Sequence, residues 1–138
     1  MNIIYMHTHD SGRYLSPYGH NLPTPNVMEF AKSATLFRQA YCAGPTCSPS
    51  RAALLTGMSP HECGMQGLAH RGWQLNDYSR HMANVLTAAG FRTALCGIQH
   101  VAPKAEMIGY DEILEGPRAD MGDMESHMER HDRGYADA

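Results

Sequence analysis

A thiol and a guanidinium group flank a proline in Gly-Pro-Thr-Cys-Ser-Pro-Ser-Arg, residues 44–51, just before a short apolar run. Ser48 followed by Pro49 predicts a helix start, and Gly57 predicts its end. The first turn of a helix presents unpaired N–H groups and a partial positive charge, so it attracts anions. Arg51 lies in that predicted turn, and its planar fork suits sulfate or phosphate oxygens.

Cys47 stands directly before these N–H donors, where a thiolate, the nucleophilic form of cysteine, would be stabilised. Two interpretations are open on physical grounds alone. The cysteine is either reactive and placed beside an anion site, or it packs against a capped helix without chemical use. Residue types alone do not separate these alternatives.

Alternating segments must position these groups. Apolar runs and helix-start signals predict strands at 2–6, 35–42 and 91–98 and helices at 24–34, 48–57 and 76–90, with 58–75 irregular. This alternation predicts an α/β fold with a mostly parallel sheet flanked by helices. Ligands of such sheets bind beyond the carboxyl ends of the strands. His9 and Asp10 follow the first predicted strand, and His100 follows the last, so we expect them at that edge.

Charge is unevenly distributed along the 138 residues, whose net charge is −3. Residues 1–110 contain eight Lys/Arg and five Asp/Glu, whereas residues 111–138 contain three and nine. The acidic end argues against nucleic-acid binding through that part of the chain, and we expect no nucleic-acid partner. The mild basic excess elsewhere suits a small anionic substrate.

No apolar run is long enough to span a bilayer, and the N-terminus lacks the features of a signal peptide. We therefore expect a cytoplasmic protein without membrane association. The four cysteines form no CxxC pairs, which argues against a structural zinc site. Thiols rather than disulfides are expected in that compartment. Cys42 and Cys96 lie in apolar, strand-like stretches and are expected to be packed.

The order of residues 47–57, Cys-Ser-Pro-Ser-Arg-Ala-Ala-Leu-Leu-Thr-Gly, resembles the signature of the type I sulfatases. That signature is Cys-x-Pro-Ser-Arg followed by Leu-Thr-Gly. The similarity continues in Thr-Pro-Asn at 24–26 and Cys-Gly-Ile-Gln-His at 96–100. Gly-Met-Gln-Gly-Leu-Ala-His at 64–70 is similar to the heparan N-sulfatase branch. The resemblance implies an alkaline-phosphatase-like α/β fold and covers residues 1–103, with 104–138 as a weakly structured acidic end.

The resemblance also implies a chemistry. Cys47 would be converted after translation to formylglycine by a formylglycine-generating enzyme, and the hydrated aldehyde would attack the sulfur of a sulfate ester or sulfamate. A divalent cation, usually calcium, would bind Asp10 and the modified Cys47. Pro49 and Arg51 would belong to the motif that the modifying enzyme recognises. Arg51 would also steady the nucleophile, and His100 would contact the sulfate or assist the leaving group. A sulfated substrate, possibly a carbohydrate, is implied.

Two positions depart from the family pattern. Family members carry two adjacent aspartates after the first strand, but here His9 takes the first place and only Asp10 matches. Imidazole favours manganese, zinc or iron over calcium, which prefers oxygen ligands. Ile98 stands where the family has a lysine that neutralises sulfate. These departures leave open a phosphate or phosphonate ester hydrolase of the same superfamily.

Length is the third departure, because family members are considerably longer. We expect residues 1–138 to be the N-terminal part of a sulfatase catalytic domain with half of a metal site. The sequence therefore predicts little or no sulfatase activity for the isolated chain. A truncated product without catalytic function is a further alternative.

Overall fold

The computed structural model describes residues 1–9 and 11–114. They fall into two compact units, one formed by Met1–Tyr41 and one that begins at Cys42. Each unit is described by itself. None of the described helices is long and apolar enough to cross a membrane.

The first unit contains a 3₁₀ turn, Ser16–Tyr18, and one short helix, α1, Pro25–Ala31. Thr24 precedes α1 as the sequence predicts, but its side chain does not cap the helix. Its hydroxyl instead accepts a hydrogen bond from the Ser16 N–H at 3.0 Å. None of the described residues of this unit is buried.

Two predicted strands, 2–6 and 35–42, are wrong. Neither segment is a strand, and no described residue pairs with them in a ladder. Their apolar side chains remain in solvent: Ile4 is 88% exposed and Phe37 is 69% exposed. A strand is stable only when its N–H and C=O groups pair with a neighbour. An apolar run that has no neighbouring strand to pair with therefore does not form a strand.

Within residues 42–114, the second unit packs three helices around one apolar core. They are α2, Cys47–Thr56; α3, Pro60–Cys63; and α4, Met82–Ala88. The predicted irregular stretch 58–75 thus contains α3 and a 3₁₀ turn, Ala69–Arg71. The core consists of small and medium apolar side chains from helices and loops: Ala52, Cys63, Met65, Ala69, Leu75, Ala83, Val101, Ala102 and Ile108.

Helix α4 is capped by a buried histidine. The Nδ1 atom of His81 accepts a hydrogen bond from the Ala83 N–H at 3.1 Å, and the ring meets Tyr110 edge-on. Burial lowers the pKa of His81 from 6.5 to about 4, because the cation would lose its hydration. The predicted helix 76–90 therefore divides into a 3₁₀ turn, Tyr78–Arg80, and α4.

A two-stranded parallel sheet follows α4. Strand β1, Ala94–Cys96, pairs with β2, Glu112–Leu114, with Leu95 opposite Ile113. Asp111 fixes this register, since its carboxylate accepts hydrogen bonds from the N–H and the hydroxyl of Thr93 at 2.7 and 3.0 Å.

The observed architecture of helices with a small parallel sheet agrees in part with the predicted α/β class. The predicted strand 91–98 is shorter than expected, and β2 was not predicted. The expected packing of Cys42 and Cys96 is wrong, because both are exposed; all four cysteines are free thiols.

Candidate active site

Cys47 is the first residue of α2. The helix begins two residues earlier than predicted: Thr46, not Ser48, is the N-cap residue, and Pro49 is the third helical residue. The first backbone bond of the helix runs from the Ser50 N–H to the Thr46 carbonyl at 3.0 Å. The preceding N–H groups have no partner within the helix, and Pro49 fits this turn because it has no N–H to leave unpaired.

Ser48 points into the protein instead of capping the helix. It is 1% exposed, and its hydroxyl accepts a hydrogen bond from the Ala69 N–H at 3.1 Å. Ala52, one turn further along α2, is fully buried in the core. The inner face of α2 is thus fixed by packing and by this long-range hydrogen bond. Both constraints also fix the position of Cys47, which is half-buried.

The loop before α2 approaches the helix closely at Gly44. A Cβ atom at this position would lie 3.1 Å from the Cβ of Pro49. A larger residue would therefore push the loop away from the first turn of the helix. Gly57 ends α2 as predicted, in a left-handed conformation with φ of 69°.

His100 lies in the loop that follows β1, and Gln99 holds that loop in shape. The Gln99 Oε1 atom accepts hydrogen bonds from the N–H groups of Val101 and Ala102 at 2.8 and 2.9 Å. The Val101 carbonyl in turn accepts from the Tyr78 hydroxyl at 3.0 Å. These contacts place a ring nitrogen of His100 within 4.8 Å of the Cys47 Sγ atom.

The remaining predicted site residues are placed as follows. Arg51 is half-buried on α2, four residues after Cys47, so the two start from the same face of the helix. His9 is an exposed residue of the first unit. Asp10 lies outside the described residues. Within the second unit, the structure therefore brings His100 near Cys47, and Arg51 shares a face of α2 with Cys47.

A cavity of about 400 Å³ opens beside His100. Both polar and apolar residues line this cavity. They are Ser48, Ala69, His70, Gly72, Ile98, Gln99, His100, Ala102 and Pro103. Ile98, which departs from the family's lysine, contributes an apolar side chain. His70 appears in the sequence analysis only as the last residue of the segment 64–70. Its place in the lining follows a contact between residues 21 positions apart, the hydrogen bond from the Ala69 N–H to Ser48.

The described donors of this region do not fit calcium as they stand. A thiol and an imidazole are soft or borderline ligands, whereas calcium takes oxygen ligands. Conversion of Cys47 to a hydrated aldehyde would replace the sulfur with oxygens. The ligands offered by the second unit therefore depend on whether Cys47 is modified.

Comparison with known families decides the relationship. The family model described as sulfatase matches residues 2–135. The chain belongs to the sulfatase family. The predicted resemblance over residues 1–103 is therefore confirmed, and the family match extends beyond its predicted end at residue 103.

Individual sulfatases show the same relationship. Human N-sulphoglucosamine sulphohydrolase is 35% identical over 75% of this chain. An N-acetylglucosamine-6-O-sulfatase from Bacteroides thetaiotaomicron is 32% identical over 83%, and an arylsulfatase from Clostridium perfringens is 34% identical over 67%. The matched region is 21%, 20% and 19% of these relatives, so this chain spans about a fifth of their length.

Proposed function

We propose that Cys47 is a formylglycine precursor and that this chain supplies the nucleophile side of a site that hydrolyses sulfate esters or sulfamates. The observation that carries the proposal is the position of Cys47. It opens α2 within the sulfatase signature, and its Sγ atom lies within 4.8 Å of a His100 ring nitrogen. Membership of the sulfatase family supports the hydrolysis of sulfuric esters.

The chain's own residues have distinct tasks in this proposal. Formylglycine supplies an oxygen nucleophile for the sulfur atom, which a thiol does not. The N–H groups of the first turn of α2 and the Arg51 guanidinium favour negative charge beside that nucleophile. The His100 imidazole can pass a proton to the leaving oxygen or nitrogen, which would otherwise depart as an anion.

The cavity supports a substrate with a compact organic part. Its volume of about 400 Å³ lies in the range of small-molecule sites and accommodates a single sugar ring. The names of two relatives, N-sulphoglucosamine sulphohydrolase and N-acetylglucosamine-6-O-sulfatase, specify sulfated glucosamine derivatives. We therefore propose a sulfated carbohydrate as the substrate class.

A divalent metal belongs to the proposal as well. Asp10 and the oxygens of a modified Cys47 are the ligands through which calcium would bind. His9 would shift the preference toward manganese or zinc if it joined them. We also propose that residues 1–138 alone hydrolyse aryl sulfates slowly or not at all. The chain corresponds to about a fifth of its relatives' length, and the remainder would contribute further ligands.

Aldehyde-specific labelling tests the proposal. The chain is produced together with a formylglycine-generating enzyme and treated with an aminooxy probe, which reacts with aldehydes but not with thiols. Labelling is expected for the unaltered chain and for Cys42→Ala, a matched control that removes an exposed cysteine five residues away. It should be lost in Cys47→Ala and strongly reduced in Arg51→Ala. Labelling that persists in Cys47→Ala would refute the assignment.

A phosphate or phosphonate ester hydrolase is the second candidate. Its motive is Ile98, which brings an apolar side chain to the cavity wall where the sulfatase pattern has a sulfate-neutralising lysine. An unmodified Cys47 would serve such an enzyme. The rates of hydrolysis of an aryl sulfate and the matching aryl phosphate separate the candidates. A faster phosphate reaction by a chain without the aldehyde would favour the second.

A further inference from the structure

We infer that Tyr78 is a positioning residue for His100. Its hydroxyl fixes the backbone that follows β1, and Asn84 in turn holds the backbone of Tyr78. This inference rests on the proposed function, because it names a support of the same site. It goes further in assigning a task to two residues that lie outside the sulfatase signature.

The Tyr78 hydroxyl meets the chain one residue after His100. It donates a hydrogen bond to the Val101 carbonyl at 3.0 Å. Val101 is fully buried, so water cannot replace the hydroxyl without an opening of the core. Burial raises the pKa of Tyr78, so the hydroxyl keeps the proton that it donates. The contact therefore restrains the peptide next to His100.

Asn84 holds the backbone of Tyr78 from its position on α4. Its Nδ2 group donates to the Tyr78 carbonyl at 2.8 Å and to the Ile108 carbonyl at 2.6 Å. Gly109 permits this close approach, because a Cβ atom there would lie 2.1 Å from the Asn84 Oδ1 atom. One amide thus joins Tyr78 to the far end of the loop that carries His100.

The two side chains anchor residues 101–108 at both ends, whereas Gln99 shapes the loop only locally. The described hydrogen bonds of the Gln99 side chain all lie within residues 99–102. The bond from Tyr78 spans 23 positions of sequence, and the bond from Asn84 to the loop spans 24. The place of the loop relative to the rest of the second unit therefore depends on Tyr78 and Asn84.

The position of this loop bears on Cys47. A ring nitrogen of His100 lies within 4.8 Å of the Cys47 Sγ atom. An imidazole at this distance alters the surroundings of the sulfur and hence the rate at which the thiol is alkylated. Loss of the Tyr78 hydroxyl should therefore change that rate only while His100 is present. The imidazole can keep its own partners, because Tyr78 acts on the backbone.

Alkylation of the 138-residue chain, produced without a formylglycine-generating enzyme, tests the inference. Mass spectrometry gives the rate of reaction with iodoacetamide at Cys47 relative to Cys42, an exposed thiol of the same chain. The unaltered chain, Tyr78→Phe, His100→Ala and the double variant form a double-mutant cycle. We expect Tyr78→Phe to change the ratio of rates in the same direction as His100→Ala. The two changes should deviate from additivity by more than about twofold, beyond the scatter of independent sites.

Two further variants complete the test. Asn84→Ala should act as Tyr78→Phe does, because it releases the backbone of Tyr78. It also serves in the same cycle if Tyr78→Phe does not fold, as judged by circular dichroism. Tyr110→Phe is the matched control, since Tyr110 is another half-buried tyrosine of the second unit and phenylalanine retains its ring contact with His81. It should leave the ratio of rates unchanged.

Contrary results overturn the inference. These are an unchanged ratio in folded Tyr78→Phe, an equal change with and without His100, no effect of Asn84→Ala, or an effect of Tyr110→Phe as large as that of Tyr78→Phe. A merely structural role of Tyr78 would give the second of these results. The proposed function is tested separately, because no aldehyde is formed in this experiment. An aldehyde at Cys47 with additive changes refutes only the inference, whereas coupled changes in a chain that never acquires the aldehyde refute only the formylglycine assignment.

Discussion

The two units of this chain differ most in what they bury. The first unit, Met1–Tyr41, has none of its described residues buried, although it contains apolar runs. The second unit buries a contiguous core that includes Met65, Val101 and Ile108. Its helices satisfy their own backbone groups and need only one packed face, whereas a strand needs a neighbour on its edge. This difference in burial indicates that the elements carrying Cys47 and His100 are stabilised by contacts within the second unit.

The largest contrast is expected between two isoleucines. Ile108 is fully buried, so Ile108→Ala should lower the free energy of unfolding by roughly 2–5 kcal/mol, through lost burial and a residual cavity. Ile4 is 88% exposed, and Ile4→Ala should change it by less than about 0.5 kcal/mol. Denaturant unfolding monitored by circular dichroism measures both. Equal losses of unfolding free energy in the two variants would contradict the difference in burial between the units.

The second contrast concerns pH. The pKa of His81 is about 4 in the folded chain and about 6.5 when unfolded. Since the unfolded chain binds more protons between these values, stability should fall as pH drops from about 6.5 to about 4, by roughly 3 kcal/mol in total. The dependence should level off below the lower value. Thermal unfolding across this pH range measures it.

His81→Asn provides the control for that effect. Asparagine keeps a side-chain oxygen that can cap α4 but removes the titrating ring. The stability of this variant should depend less on pH between 4 and 6.5 than that of the unaltered chain. An unchanged pH profile would assign the acid sensitivity in this range to other groups. Asp111, whose pKa is lowered from 3.8 by hydrogen bonds from Thr93, would contribute only at lower pH.

Two serines give a smaller contrast. Ser48→Ala should cost roughly 1–3 kcal/mol, because the buried Ala69 N–H loses its acceptor. Ser33 is exposed, and its hydroxyl donates to the Phe30 carbonyl at 3.3 Å, where water can replace it. Ser33→Ala should have an effect near zero. Urea titrations measure the stability of both variants. Similar losses of stability would show that Ser48 does not anchor α2.

The smallest effects on stability are expected for exposed ion pairs, and here the two units should respond equally to substitution. Arg92 and Glu112 form an exposed ion pair at 2.7 Å in the second unit, and Lys32 pairs with Glu29 in the first. Glu112→Gln and Glu29→Gln should each produce changes close to the error of a denaturant titration, since water and salt screen such pairs. A large loss in only one of them would extend the difference between the units to their surfaces.

Local signals in the sequence predicted local features well. Gly57 ends α2 and Gly90 follows α4, because both adopt left-handed conformations that favour glycine. The parallel arrangement was also predicted, and β1 and β2 are indeed parallel. The strand at 2–6 failed because pairing is a property of two segments, and the sequence of one segment does not contain it.

Contacts between distant residues account for the other differences. Ser48 looked like a helix cap, yet its hydroxyl is bonded to Ala69, 21 residues away. That contact brings His70 to the cavity, and no periodicity or capping rule indicates it. For Cys47 and Arg51 the order of the signature was informative by itself. Their catalytic tasks, and that of His100, stay predictions until the chemistry is measured.

The mass of one peptide tests the central claim most directly. Trypsin releases residues 39–51 of the chain made with a formylglycine-generating enzyme, and this peptide contains both Cys42 and Cys47. After alkylation and fragmentation, the account predicts an aldehyde or its hydrate at Cys47 and an alkylated thiol at Cys42. An alkylated thiol at both positions, under conditions in which the enzyme modifies a known sulfatase, would contradict it.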